Sequence, residues 1–95
     1  MTALEKSVRL SIAGKVQGVG YRFWAMRAAA SLGLRGWVRN RSDGSVEALV
    51  TGPPEAVAAM VEASREGPYG ARVTDVTVTP DQDDGAAGFA AHPTK

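Results

Sequence analysis

The sequence contains no cysteine, which removes disulfides, thiolate metal sites and cysteine nucleophiles together. It has one histidine, His92, so a histidine-rich metal centre is not expected either. Neither sign of charge dominates. Eleven basic and ten acidic side chains leave a net charge of +1, which gives no electrostatic case for bulk nucleic-acid or membrane binding. No stretch approaches the roughly 18 apolar residues of a membrane span. Met1 to Ser7 lacks the apolar run after a basic stretch that marks a secretory signal. These absences point to a soluble, cytoplasmic chain.

What is present fits one compact domain over residues 1–95, with 44% hydrophobic residues to fill a core. A core of that size stabilises only marginally, so the elements must be well patterned. Val8, Leu10 and Ile12 alternate with Arg9, Ser11 and Ala13, a strand with one buried face. A glycine-rich stretch, Gly14 to Tyr21, follows. From Arg22 the period changes: Trp24, Ala25, Ala28, Ala29 and Leu32 share one arc of a helix, and Gly33 stands at its expected stop. Leu34 to Asn40 reads as a second strand, with Leu34, Gly36 and Val38 on one face and Arg35, Trp37 and Arg39 on the other. Ser42-Asp43-Gly44 is a hairpin turn, and Val46, Ala48 and Val50 continue as the paired strand. Gly52-Pro53-Pro54-Glu55 starts a second helix carrying Val57, Met60, Val61 and Ser64, broken at Gly67-Pro68-Tyr69-Gly70. Val73, Val76 and Val78 predict a further strand ending at Pro80, and Gly88 to His92 a short edge strand around Phe89. The order is that of an α+β, ferredoxin-like split βαβ sandwich (βαββαβ with a short extra C-terminal strand). Two helices lie on one face of a mainly antiparallel sheet, with the first and third strands at its centre.

The segment Gly14 to Arg22 lies between a strand and a helix. Glycines there let successive N–H groups turn inward, and the helix adds its unpaired donors and the positive end of its dipole. Arg22 stands at the mouth, where its planar fork holds two phosphate oxygens at once. On the loop alone, a plain connector fits as well as an anion cradle. The segment lacks the Gly-Lys-Ser/Thr ending of a Walker loop, and no parallel βαβ unit follows for a dinucleotide fingerprint. Asn40, at the end of the second strand, is an ordinary turn residue in isolation. Placed near Arg22, its amide can hold and aim a water, though it is too weakly basic to deprotonate it.

Together these segments resemble the acylphosphatase family. The first signature reads Ile12, Gly14, Val16-Gln17-Gly18-Val19, Tyr21 and Arg22; the second reads Gly36-Trp37-Val38-Arg39-Asn40, then Gly44, Val46 and Gly52. The resemblance extends to Gly67-Pro68 and Val73, across nearly the whole chain. It implies that Gln17, Gly18, Val19, Gly20, Tyr21 and Arg22 bind phosphate and that Arg22 and Asn40 are catalytic. It also implies hydrolysis of the carboxyl-phosphate bond of a small acyl phosphate, with no metal and no cofactor. Inorganic phosphate is then product and inhibitor, and the chain acts as a monomer. Two positions depart from the pattern. Tyr21 stands where phenylalanine is usual, adding a hydroxyl that is tolerable where it reaches water. After Phe89 the usual apolar and final basic residues are missing, which weakens the expected pairing of the last strand.

A mixed carboxylic–phosphoric anhydride has a carboxylate leaving group, which departs without a proton, so no strong general acid is needed. Benzoyl, acetyl, carbamoyl and glyceroyl phosphates all fit this chemistry. The rival readings are an RNA-binding module of the same fold and a domain that has lost catalysis. The open faces of the first and third strands, Arg9, Ser11, Ala13 and Glu47, Leu49, Thr51, carry no aromatic ring for a base. Trp37, among arginines, stands on a strand this topology places at an edge. Asp81 to Asp84 lacks the spacing of a calcium loop and reads as a solvated turn.

Overall fold

The computed structural model describes residues 4–95; Met1 to Ala3, which open the stretch read above for a secretory signal, lie outside the described residues. The elements run β1 (Lys6–Lys15), α1 (Tyr21–Ser31), β2 (Arg35–Asn40), β3 (Val46–Gly52), α2 (Pro54–Ser64), β4 (Arg72–Pro80) and β5 (Phe89–Ala91). One sheet has the order β4-β1-β3-β2-β5, antiparallel except for β2 beside β5. The ferredoxin-like arrangement is present, with β1 and β3 at the centre.

The alternation in β1 places Val8, Leu10 and Ile12 in the core, opposite Val50, Ala48 and Val46 of β3. The helices cover this face: α1 through Tyr21, Ala25 and Ala29, and α2 through Val57, Met60 and Ser64. Burying each of the larger aliphatic chains contributes about 1.5–3 kcal/mol. At the end of α1 the N–H of Gly33 reaches the Ala30 carbonyl and that of Leu34 the Ala29 carbonyl. That paired closure stops the helix and delivers buried Leu34 into the core.

Four details differ from the sequence expectation. In β4, Val73 and Val76 have opposite parity, yet Val76 is buried and Val73 packs on the core; a bulge opposite Ala13 and Gly14 shifts the register between them. Strand β2 is not at the edge: β5 pairs outside it despite the atypical C-terminal residues. The pairing continues past β5 through His92 N–H to the Val38 carbonyl and Lys95 N–H to the Asn40 carbonyl. The Tyr21 hydroxyl does not reach water. It is buried and donates to the Ser64 carbonyl at 2.8 Å, which satisfies it in place, and burial pushes the phenol up to about 12. Finally, the acidic stretch after β4 is more than a solvated turn, since Asp81 pairs with Arg9 and Asp83 with Arg35.

The sheet face away from the helices is covered by its own side chains. Leu49 is buried between Arg9 and Trp37 on the neighbouring strands. Trp37 is buried, with the Arg39 guanidinium 4.5 Å from its ring centre and His92 stacked on it at 5.4 Å. A ring buried and engaged in this way is not presented to a base, which counts against the RNA-binding reading. Glu47, also buried, accepts from Arg9, Arg39 and Arg41. Burial raises its carboxyl, and the hydrogen bond and charge of Arg39 with the charges of Arg9 and Arg41 outweigh that, holding it below the usual range. A carboxyl lowered by folding contributes stability above its unfolded value of about 4.3 and loses it as pH falls through the folded one. Glu47→Gln is therefore expected to cost about 1–3 kcal/mol at pH 7. The deficit against wild type should shrink below about pH 4; urea unfolding at pH 7 and pH 3 measures both.

Candidate active site

The loop between β1 and α1 is held at three places by three different elements. Val16 is buried in the core. Tyr21 is buried against α2 through its bond to Ser64. The Gln17 side chain donates to the carbonyls of Arg41 and Ser45, both at 2.8 Å, in the β2–β3 hairpin. Between these anchors Gly18 and Gly20 have φ of 76° and 79°, the left-handed region that glycine enters without penalty. Gly20 caps α1 from that conformation with no side-chain partner for the helix donors.

The first helical bond is Trp24 N–H to the Gly20 carbonyl at 3.0 Å. Before it, none of the backbone N–H groups from Gln17 to Phe23 has a protein acceptor among the described residues. Such a run of unpaired donors at a helix start has the polarity to accept an anion.

Arg22 and Asn40 line the same cleft as this loop. The cleft has a volume of about 410 Å³ and also takes in Phe23 and Met26 of α1 and Ala91 of β5, with no carboxylate among its lining residues. Five arginines elsewhere, Arg9, Arg35, Arg39, Arg41 and Arg65, pair with acids; among the described residues Arg22, like Arg27 and Arg72 outside the cleft, does not. Arg22 is half-buried, and its guanidinium makes no ion pair or protein hydrogen bond among the described residues. The Asn40 backbone is fixed opposite Val46 in the ladder. Its carboxamide makes no protein hydrogen bond among the described residues. Every fully buried polar side-chain atom there has a partner, so this unpaired group faces open space. No group of three His, Cys, Asp or Glu side chains able to hold a metal occurs among the described residues.

Of the residues the signatures single out, Gln17, Gly18, Gly20, Tyr21, Arg22 and Asn40 line this cleft, whereas Val19 packs on the core and is not in the lining. Gln17, expected at the phosphate, has its side-chain amide hydrogens committed to the hairpin, while its backbone N–H is uncommitted. Phe23 and Met26 escaped the sequence reading. The signal for Met26 was its position four residues after Arg22, on the same side of the helix; Phe23 fell outside the buried arc and is exposed at 67%.

A profile of the acylphosphatase family matches residues 8–91. The chain belongs to the acylphosphatase family. It is 53% identical over 88 residues to an acylphosphatase of Rhodospirillum rubrum, covering 93% of this chain and 97% of that one. A Nitrobacter hamburgensis acylphosphatase is 58% identical over 72 residues, covering 76% and 73%. The crystal structure of the Bacillus subtilis acylphosphatase superposes with a TM-score of 0.88 at 38% identity, over 94% of this chain and 99% of that one. Like its acylphosphatase relatives, the chain is a hydrolase that cleaves acyl phosphates to a carboxylate and inorganic phosphate.

Proposed function

We propose that the cleft performs this hydrolysis by direct in-line attack of water, without a metal. The backbone N–H groups of Gln17, Gly18, Val19, Gly20, Tyr21 and Arg22, with the Arg22 guanidinium, hold the three peripheral phosphate oxygens. Asn40 holds the water opposite the leaving carboxylate. The balance is R–CO–O–PO3(2−) + H2O → R–COO(−) + H2PO4(−): the P–O bond to the acyl group breaks, a P–O bond to water forms, and the water proton ends on phosphate. No general acid is required because the carboxylate leaves unprotonated, in keeping with a cleft that has no carboxylate or imidazole in its lining. The supporting observation is that free loop amides, an unpaired arginine and an unpaired carboxamide share one cleft built by one chain. That also supports action as a monomer. Phe23, Met26 and Ala91 give the acyl group an apolar wall. We read the protein as a cytoplasmic, single-domain enzyme with a small acyl phosphate as its partner. No helix among the described residues is long and apolar enough to cross a membrane.

The test is turnover of benzoyl phosphate before and after exhaustive treatment with a chelator, with inorganic phosphate as competitor. Unchanged turnover and competitive inhibition by phosphate are expected. Loss of activity restored by a divalent cation would end the metal-free mechanism.

A further inference from the structure

The hairpin carrying Asn40 and the loop carrying the cradle belong to different parts of the chain. The Gln17 carboxamide joins them: its two hydrogens go to Arg41 and Ser45, each at 2.8 Å. These are the carbonyls that close the hairpin, where Arg41 N–H bonds the Ser45 carbonyl and Gly44 N–H the Arg41 carbonyl. Arg41 directly follows Asn40. The two hydrogens of one planar amide fix both distance and direction, since neither can shift without breaking the other.

We propose that Gln17 is a positioning residue that sets the distance between the phosphate cradle and Asn40, and so the aim of the attacking water. The inference rests on the reading of Asn40 as the water-holding group. It assigns the side chain a task separate from the phosphate, which takes only the Gln17 backbone N–H. In-line attack is sensitive to such placement, because a misplacement of about 1 Å costs on the order of a hundredfold in rate. Phosphate held by the loop amides and Arg22 has no such dependence on Asn40. Losing the tie therefore acts on turnover and spares phosphate binding.

The experiment compares wild type, Gln17→Leu, Gln17→Glu, Asn40→Ala and the double variant Gln17→Leu/Asn40→Ala with benzoyl phosphate, reading kcat, KM and inhibition by inorganic phosphate. Gln17→Leu is expected to lower kcat about tenfold and to change phosphate inhibition by less than about twofold. In the Asn40→Ala background the same substitution is expected to cost nothing further, because the group it aims is gone. Gln17→Glu keeps the shape but presents oxygens to two carbonyls. It should be slow at pH 7 and recover as pH falls toward about 4, where the protonated carboxyl donates one hydrogen bond. A variant merely damaged in folding shows no such recovery. Phosphate inhibition weakening in step with kcat would overturn the proposal by making the side chain part of the cradle. A full tenfold cost persisting in the Asn40→Ala background would overturn it too, leaving Asn40 itself untouched. An Asn40→Ala enzyme as fast as wild type would instead end the reading on which the proposal rests.

Discussion

Arg22→Lys is expected to lower kcat/KM for benzoyl phosphate by about a hundred- to a thousandfold although the charge is retained. In the proposed mechanism the two parallel N–H groups of the guanidinium meet two phosphate oxygens at once, and both contacts strengthen as charge spreads over the peripheral oxygens during transfer. One ammonium is a point donor on a flexible stem and cannot span the pair. Arg22 is half-buried at the first turn of α1 and, among the described residues, has no competing carboxylate, so its fork is open to substrate. The unfolding midpoint should barely move, since no ion pair among the described residues depends on the residue. Near-normal turnover in this variant would remove the bidentate role and leave the loop amides as the whole of the anion site.

Asn40→Ala is expected to lose turnover by a similar factor, about a hundred- to a thousandfold, while phosphate still inhibits at close to the wild-type concentration. The distinction follows from where the residue sits. Its backbone bonds belong to the β2–β3 ladder and to the Lys95 N–H, and none of them uses the side chain. Removing the carboxamide leaves strand, hairpin and loop standing and takes away only the acceptor and donors that, in the proposed mechanism, hold the water. A group acting on the attacking water lowers kcat, whereas one acting on the phosphate lowers affinity for the inhibitor as well. If phosphate no longer binds to Asn40→Ala, the residue holds the cleft together and a different group aims the water.

Much of this was legible in the sequence because it is local. The alternation of Val8, Leu10 and Ile12 dictated β1, the spacing of Ala25 and Ala29 the buried seam of α1, and Gly33 its stop. The glycines around Gln17 and the arginine after them marked a tight turn into a helix that could as well be a connector as an anion loop, and Asn40 stood at a strand end. The parts that could not be read depend on contacts between distant residues. The Tyr21 hydroxyl finds its acceptor 43 positions away, and Gln17 finds its two acceptors 24 and 28 positions away. A glutamine beside a glycine-rich loop looks like a phosphate ligand until the hairpin is folded against it. The mismatch between Val73 and Val76 did carry the sign of a bulge, since no regular strand turns both to one face. The burial of Glu47 had no local sign, because it depends on arginines from two neighbouring strands and the turn.

The central strand β1 takes both its neighbours from far along the chain: Leu10 faces Ala48 on one side and Val78 on the other. Such pairings must close large loops before they return any energy, so the chain is expected to fold slowly for its size, over milliseconds to seconds. The glycine-rich loop of the candidate site begins where β1 ends and is braced by the β2–β3 hairpin and α2. Enzymatic competence should therefore arrive late in refolding, after helix signals have already recovered.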